Sequence, residues 1–330
     1  MNTTANGQDK LLSLEHVSID YRVEDGYLSA VHDVSFSMRR GEFFALVGES
    51  GCGKSTIAHS IMRLSLDHNE RISGSIFFDG KDLAKISDAE MEKIRGRQIG
   101  MIFQNPLDSL NPVYRAGAQV EEALMHSGMS REDAKKRTIE LFADVQIPDP
   151  QRRVKSFPHE LSGGMRQRVM IAMMLAQNPS LLIADEPTTA LDVTVEAQIL
   201  EIMKRMRDKT GASVLMITHN FGIVAEVADR VGIMYAGELV EIGDVYQIFR
   251  HPTHPYSRAL LGALPRIRKT QGRITTIDGT VPRIIGEHNA CRFANRCPYA
   301  TEVCRTACPQ KRELEPGHWV ACHVVNELEE

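Results

Sequence analysis

One stretch of the chain combines glycines, a lysine and hydroxyl side chains at a spacing that suits phosphate binding. Residues 48–56, GESGCGKST, fit the pattern G-x-x-x-x-G-K-[ST]. In such a loop backbone N–H groups surround phosphate oxygens, Lys54 adds a positive charge, and the Ser55 hydroxyl suits Mg²⁺. The alternative is a glycine-rich turn that binds nothing. Cys52 is expected to be a small inert residue, with a redox role as its alternative.

Two later segments carry further groups of this kind. An apolar run at residues 181–184 ends in Asp185, which could hold Mg²⁺, and Glu186, which could polarise an attacking water. Taken alone, this pair is better explained as a solvated strand end. Residues 161–168 place a Ser-Gly-Gly turn at the start of a helix. That turn is either a second phosphate cradle or an ordinary capped helix.

The elements around these groups predict an α/β chain. The helical period dominates from Ser87 to about Gln177, and Ser130 is expected to cap a helix within that block. A Pro-punctuated turn at residues 251–255 precedes a short helix at 256–264. Apolar runs and alternating patterns predict strands at residues 12–21, 31–38, 43–47, 181–184 and 213–217.

Composition and charge exclude several classes of protein. The 330 residues carry 39 Lys and Arg against 43 Asp and Glu, a net charge of −4, which disfavours a dedicated nucleic-acid binder. No apolar run approaches the ~18 residues that span a bilayer. The N-terminus lacks the basic and apolar layout of a signal peptide. We therefore expect a soluble, cytoplasmic chain that is able to dock onto a membrane component.

Five of the six cysteines crowd the C-terminal end, beyond a basic, linker-like stretch at residues 266–273. In a reducing cytoplasm such a group suits a metal or cofactor better than disulfides. A metal could also staple a segment that is too small to build its own core. The spacing alone leaves an iron–sulfur cluster, Zn²⁺ and free buried thiols open. His318 and His323 are expected to be structural.

Six motifs, in order and spacing, resemble the nucleotide-binding subunit of an ATP-binding cassette (ABC) transporter. The resemblance covers residues 11–250 and includes Tyr21, which matches the aromatic residue that stacks on adenine in this family. The motifs are the lysine loop at 48–56, a glutamine loop at 103–106, the signature at 161–165, the acidic strand end at 185–186, a loop at 189–192 and the switch histidine His219.

The resemblance implies an α/β P-loop NTPase fold: a RecA-like core with an antiparallel β subdomain and an inserted helical subdomain. It divides the chain into a nucleotide-binding domain at residues 1–250, with the helical subdomain at about 88–177. A Pro-containing turn, helix and linker follow at 251–285, and a small Cys-rich extension at 286–330.

The resemblance also assigns roles in ATP hydrolysis with Mg²⁺. Two such subunits pair head to tail, and each signature contacts the γ-phosphate of ATP held by the partner. Met165 replaces the usual Gln, with little effect expected. A hydrogen-bonded core histidine is the alternative for His219. The implied catalytic residues are Lys54, Gln104, Glu186 and His219. The implied Mg²⁺ ligands are Ser55, Gln104 and Asp185. The implied signature residues are Leu161, Ser162, Gly163, Gly164 and Met165. The implied ATP-binding residues are Tyr21, Gly48, Glu49, Ser50, Gly51, Cys52, Gly53, Lys54, Ser55, Thr56, Gln104, Asp185 and His219.

Beyond residue 250 the chain resembles the subunits of oligopeptide and dipeptide importers. This implies uptake of peptides through two separate membrane permease subunits, a second and related ATPase chain, and indirectly a substrate-binding protein, at the cytoplasmic face of the membrane. It also implies a [4Fe–4S] cluster, with Zn²⁺ as the alternative, at Cys291, Cys297, Cys304 and Cys322, and leaves Cys308 as a surplus thiol. The alternatives are another solute such as nickel, or a soluble ABC protein that acts on nucleic acid. The charge balance and the single lysine loop disfavour the second alternative, so we expect no nucleic-acid partner.

Overall fold

The computed structural model describes residues 9–64, 70–104, 110–188, 192–263 and 278–325. Its contacts divide these residues into two compact units. One unit contains residues 9–11, 39–42 and 85–217, and the other contains residues 12–38, 43–84 and 218–325. No helix within the described part of the chain is long and apolar enough to cross a bilayer.

The strands are β1 (Lys10–Val23), β2 (Gly26–Arg39), β3 (Phe43–Val47), β4 (Glu70–Phe78), β5 (Lys81–Asp82), β6 (Ile99–Ile102), β7 (Leu181–Asp185), β8 (Ser213–Thr218), β9 (Arg230–Tyr235), β10 (Glu238–Asp244), β11 (Lys311–Glu315) and β12 (His318–Ala321). The helices are α1 (Lys54–Ile61), α2 (Asp88–Ile94), α3 (Ala116–His126), α4 (Arg131–Asp144), α5 (Pro150–Arg153), α6 (Gly163–Leu175), α7 (Val193–Thr210), α8 (Phe221–Val227), α9 (Val245–Arg250), α10 (Pro255–Gly262) and α11 (Glu302–Thr306), with a 3₁₀ turn at Pro158–Glu160.

In the unit that contains residues 43–84, strand β3 is buried along its whole length, as its apolar run predicts. It pairs in parallel with β9, and β9 pairs in antiparallel fashion with β10. The late strand β12 continues this sheet by pairing with β10, and β11 pairs with β12. A separate sheet in the order β2-β1-β4-β5 contains the first two predicted strands. The C-terminal segment therefore contributes strands to the sheet that carries the lysine loop.

The unit that contains residues 85–217 has a parallel sheet of β6, β7 and β8 and a block of helices. Ser87 and Glu90 form a capping box at the start of α2. Ser130 caps α4 as predicted, because its side chain accepts a hydrogen bond from the Asp133 N–H. Helical periodicity did not reveal strand β6, which lies inside the predicted helical block. Its four buried residues become a strand because β7 pairs alongside them.

Candidate nucleotide site

The lysine loop is folded around its own lysine. Strand β3 ends at Val47, the loop follows, and helix α1 begins at Lys54, as the motif requires. The Lys54 side chain is buried, and its Nζ donates hydrogen bonds to the Gly48 carbonyl at 2.8 Å and the Glu49 carbonyl at 2.9 Å. The loop therefore holds a buried cation in place, next to the N-terminus of a helix.

Two glycines of the loop lie where no side chain fits. Gly48 has φ +156°, and a Cβ there would lie 2.3 Å from the Met234 carbonyl oxygen. Gly53 has φ +100°, and its Cβ would lie 2.4 Å from the Ala30 carbonyl oxygen. Both contacts are far shorter than atoms tolerate, so the loop keeps its shape only with glycine at these positions.

The remaining residues of the loop show two environments. Cys52 is fully buried, and burial raises the pKa of its thiol, which favours the inert role over the redox role. Tyr21, at the far end of β1, is half-buried and hydrogen-bonded to the Thr56 side chain; burial raises the pKa of its phenol. The fold thus brings the predicted adenine-stacking residue next to the end of the loop. In the same unit, His219 is exposed immediately after β8, and Asn220 then caps helix α8.

In the other unit, the ends of two parallel strands bring Gln104 and Glu186 together. Strands β6 and β7 run side by side, so the residues that follow them meet at one edge of the sheet. Gln104 Nε2 donates to Glu186 Oε2 at 3.1 Å. Asp185 is the buried last residue of β7. These three predicted residues therefore share one edge of one sheet.

Glu186 adopts a backbone conformation that side chains usually avoid. Its φ is +45°, in the left-handed region, and its N–H donates to the Ile217 carbonyl at 2.9 Å. This conformation costs about 1–2 kcal/mol for a residue other than glycine. Such strain is typical of functional positions, where the surrounding structure fixes one side-chain direction.

The signature motif forms the start of a long helix. Ser162 is the N-cap of α6, and its Oγ accepts a hydrogen bond from the Met165 N–H at 3.3 Å. A Cβ at Gly164 would lie 2.6 Å from Cγ1 of Val195, so this position needs a glycine for helix α7 to approach. Leu161 is buried. The predicted loop residues Asn105, Pro106, Thr189, Ala190 and Leu191 lie outside the described residues.

Three cysteines of the C-terminal segment, Cys291, Cys304 and Cys322, gather in a small apolar cluster. Cys304 and Cys322 are buried there with Ala294, Val320, Val324 and Val325, and Cys291 packs against them. Burial raises the pKa of Cys291 to about 12 and of Cys322 to about 11, so both thiols hold their protons at neutral pH. Metal binding requires thiolates.

The donor types suit an iron–sulfur cluster or Zn²⁺, but their placement does not form a coordination group. Among the residues that the structure describes, no three His, Cys, Asp or Glu side chains are grouped to hold a metal ion. The expectation of a cluster at Cys291, Cys297, Cys304 and Cys322 therefore finds no support in this geometry. Cys308 is exposed, and His318 and His323 make hydrogen bonds with protein groups, as structural residues do.

Sequence reasoning missed the partners of Glu49. Arg296 forms an ion pair with its carboxylate, and the Tyr256 hydroxyl accepts a hydrogen bond from its N–H. Arg296 is 247 residues away along the chain, and no periodicity or motif joins two such positions. Glu49 was expected to contact ATP; its N–H and its carboxylate both have partners within the protein.

Comparisons with known proteins agree with this geometry. The family described as "ABC transporter" matches residues 31–189, and the family described as "Oligopeptide/dipeptide transporter, C-terminal region" matches residues 240–304. The dipeptide transport ATP-binding protein DppD of Bacillus subtilis is 47% identical over 316 residues, which cover 95% of this chain and 94% of that protein. The oligopeptide transport ATP-binding protein OppD of Escherichia coli is 44% identical and covers 95% of this chain and 93% of its own length.

Solved structures give the same result for the fold. The dimeric, post-hydrolysis ATP-binding cassette MJ0796, bound to ADP and Pi, has a TM-score of 0.64 and 30% identity, and covers 71% of this chain and 98% of its own. The predicted ABC cassette fold and the predicted ATPase activity are confirmed. The chain belongs to the ABC transporter family of ATPases, among the members that carry the oligopeptide/dipeptide transporter C-terminal region.

Proposed function

We propose that this ATPase energises the import of dipeptides and oligopeptides through a separate membrane permease. The observation that carries the proposal is 47% identity over 94% of a dipeptide transport ATP-binding protein. The match includes the C-terminal segment, where the oligopeptide/dipeptide transporter family matches residues 240–304. The nucleotide-binding motifs are common to the ABC family, so they do not indicate which solute is transported. The substrate class is inferred from the match of the C-terminal segment.

Each residue of the candidate site has a role in this proposal. Ser55, Asp185 and Gln104 would hold Mg²⁺, which would supply charge neutralisation on the phosphates. Lys54 neutralises the transferred phosphoryl group, whose loose transition state demands positioning and charge more than covalent chemistry. Glu186 orients and accepts a proton from the attacking water, and His219 holds the γ-phosphate. The hydrogen bond between Gln104 and Glu186 supports this pairing of roles.

A second subunit completes the site. Ser162 and Gly164 begin helix α6, whose N–H groups suit a phosphate of nucleotide bound by the partner. The cassette MJ0796, which shares the fold, is described as dimeric. We assign the second position to a related ATPase chain, and each ATP then lies between the lysine loop of one chain and the signature of the other.

The permease contacts the helical block and holds the chain at the cytoplasmic face of the membrane as a peripheral subunit. A cavity of about 950 Å³ opens there between α2, α3 and α6. Tyr114 lines it and is 58% exposed, and its neighbour Val113 is 71% exposed. Exposed apolar side chains around a cavity are typical of a protein-binding surface. A substrate-binding protein acts on the permease and not on this chain.

The C-terminal thiols remain a proposed metal or cluster site. Four cysteines within one small segment match the donor set of a [4Fe–4S] cluster, with Zn²⁺ as the second candidate. An absorbance spectrum and metal analysis of anaerobically purified protein test this directly. Protein that contains neither iron nor zinc would leave the thiols as core residues.

Uptake measurements test the substrate class. Cells that lack this chain should lose uptake of radiolabelled dipeptide, and a plasmid-borne wild-type copy should restore it while Lys54→Ala should not. Nickel uptake in the same cells is the comparison. Loss of nickel uptake with normal peptide uptake would overturn the peptide assignment and leave the ATPase activity intact.

A further inference from the structure

Glu49, the second residue of the lysine loop, forms an ion pair with Arg296 of the C-terminal segment. We call this contact the grip on Glu49. The Arg296 guanidinium contacts both carboxylate oxygens of Glu49: Nη1 lies 2.7 Å from Oε2 and Nη2 lies 3.1 Å from Oε1. The Arg296 side chain is 7% exposed and that of Glu49 is 30% exposed. A two-pronged, largely buried pair of this kind fixes orientation as well as charge.

Arg296 and Tyr256, the two residues that contact Glu49, are themselves held in place by other contacts. Arg296 Nε donates to the Asp278 carbonyl at 2.9 Å. The Tyr256 hydroxyl lies 3.1 Å from the Glu49 N and 3.3 Å from Glu49 Oε2, so it accepts from the N–H and donates to the carboxylate. Tyr256 is fully buried, and its ring packs against Tyr235 and Phe293. The partners of Glu49 therefore have little freedom to move.

Glu49 links this grip to the lysine. Its carbonyl accepts from Lys54 Nζ at 2.9 Å and from the Cys52 N–H at 3.3 Å. Hence the backbone unit of Glu49 has its N–H fixed by Tyr256 and its carbonyl fixed by the loop. Since the Glu49 N–H donates to Tyr256, the N–H groups left to meet phosphates come from later in the loop.

The ion pair also neutralises the negative charge of Glu49 inside the lysine loop. The loop receives a polyanion, and a carboxylate within it would repel phosphate oxygens. Arg296 neutralises that charge with a guanidinium group, which stays positively charged at all pH values near neutral. Removal of one partner of a buried ion pair leaves the other uncompensated, which is costly.

We propose that Arg296 is a positioning residue of the nucleotide site, which holds Glu49 and neutralises it so that the lysine loop accepts ATP. The C-terminal segment is then part of the nucleotide-binding machinery. This inference rests on the proposed role of the lysine loop in holding ATP.

The test compares ATP affinity among variants of the full-length chain, measured with a fluorescent ATP analogue at low and high salt. Arg296→Gln should raise Kd about tenfold at low salt and less at high salt, because the exposed repulsion is screened. Arg296→Lys keeps the charge and loses one prong, so Kd should rise only about threefold. Arg283→Gln, an exposed arginine of the same segment, is the matched control.

The double variant Arg296→Gln with Glu49→Gln tests the neutralisation of Glu49, whereas Arg296→Lys tests its positioning. If the uncancelled carboxylate is the cause, the added Glu49→Gln change should recover most of the lost affinity. A purely structural role for Arg296 predicts a lower melting temperature and an unchanged Kd in the folded variant. Melting temperatures without nucleotide report whether each variant is folded at the assay temperature.

An unchanged Kd in Arg296→Gln, or no recovery in the double variant, overturns the inference. Wild-type chain that fails to bind ATP, or Lys54→Ala chain that binds it normally, overturns the proposed role of the loop itself. Wild-type binding that is lost in Lys54→Ala, weakened in Arg296→Gln and recovered in the double variant supports both.

Discussion

Glu186 shows how the fold commits one carboxylate to a single direction. Its left-handed backbone is held by a hydrogen bond from its N–H to Ile217, and its side chain is held by Gln104. Asp185, which precedes it, is the buried last residue of β7. A general base must lie within hydrogen-bond reach of its water, and a fixed direction supplies that reach.

Glu186→Gln should bind ATP normally and lose turnover by at least ~100-fold. The amide retains the size of the side chain and can still pair with Gln104, but it cannot accept a proton. Phosphate release measures turnover, and nucleotide binding at equilibrium measures affinity. Glu201→Gln, on the exposed face of α7, is the control for the chemical change and should hydrolyse ATP at the wild-type rate. Wild-type turnover in the Glu186 variant would remove it as the base.

At the scale of elements, a buried carboxylate on strand β10 organises the start of helix α10. Glu241 is 1% exposed and accepts from the Thr253 N–H at 2.8 Å, the His254 N–H at 3.0 Å and His318 at 2.8 Å. Burial raises its pKa, but these hydrogen bonds, led by that of His318, outweigh burial and lower it. The carboxylate therefore stays ionised and fixes the helix that presents Tyr256.

His254 makes this arrangement sensitive to acid. Complete burial lowers the pKa of His254 to about 4, against an ordinary value of 6.5. The unfolded chain therefore binds its proton more readily, and the stability due to neutral His254 is present above pH 6.5 and lost as pH falls towards 4. The full loss is about 3 kcal/mol.

His254→Asn should reduce the loss of folding stability at low pH. Asparagine is a good N-cap and can accept the hydrogen bond that His254 Nδ1 accepts from the Tyr256 N–H, but it does not titrate. Urea unfolding at several pH values between 4 and 7 should show the variant gaining on the wild type by about 3 kcal/mol as pH falls. Parallel pH profiles for the two proteins would contradict this assignment.

The elements also show what sequence could predict. The strand at 43–47 was predicted with its observed bounds because both faces are buried and every residue is apolar. Strand β6 was missed because four residues inside helical sequence carry too little periodicity. The roles assigned to Lys54, Glu186 and Ser162 came from motifs. The ion pair between Glu49 and Arg296 could not be predicted from the sequence, because only folding brings Arg296 to the loop.

At the scale of the whole molecule, each chain carries a lysine loop and a signature, and the proposed working sites combine one of each from two chains. Isolated chain should therefore hydrolyse ATP weakly at concentrations at which it is monomeric. Full activity from a strict monomer would contradict the paired arrangement.

Mixing two inactive variants tests the arrangement more sharply, at concentrations at which this chain pairs with a copy of itself in place of the related chain. Lys54→Ala removes the lysine from one half-site, and Ser162→Arg blocks the other with a bulky side chain. In a mixed pair, one site then combines an intact lysine loop with an intact signature. Mixed variants should recover up to about one quarter of wild-type activity if pairing is random and sites act independently. No recovery, with dimers present by light scattering, would place both half-sites in one molecule.

Strand β12 covers a sheet edge that would otherwise face water. It pairs with β10 through Glu241 opposite Val320 and Ile242 opposite Trp319, and it brings His318 to the buried Glu241. A chain cut after residue 263 would bare the N–H and C=O groups of β10, and an open edge of this kind recruits other strands. Trimming the tail to obtain a minimal cassette is therefore a route to aggregates, and studies of a smaller version should alter side chains in place and keep the final hairpin.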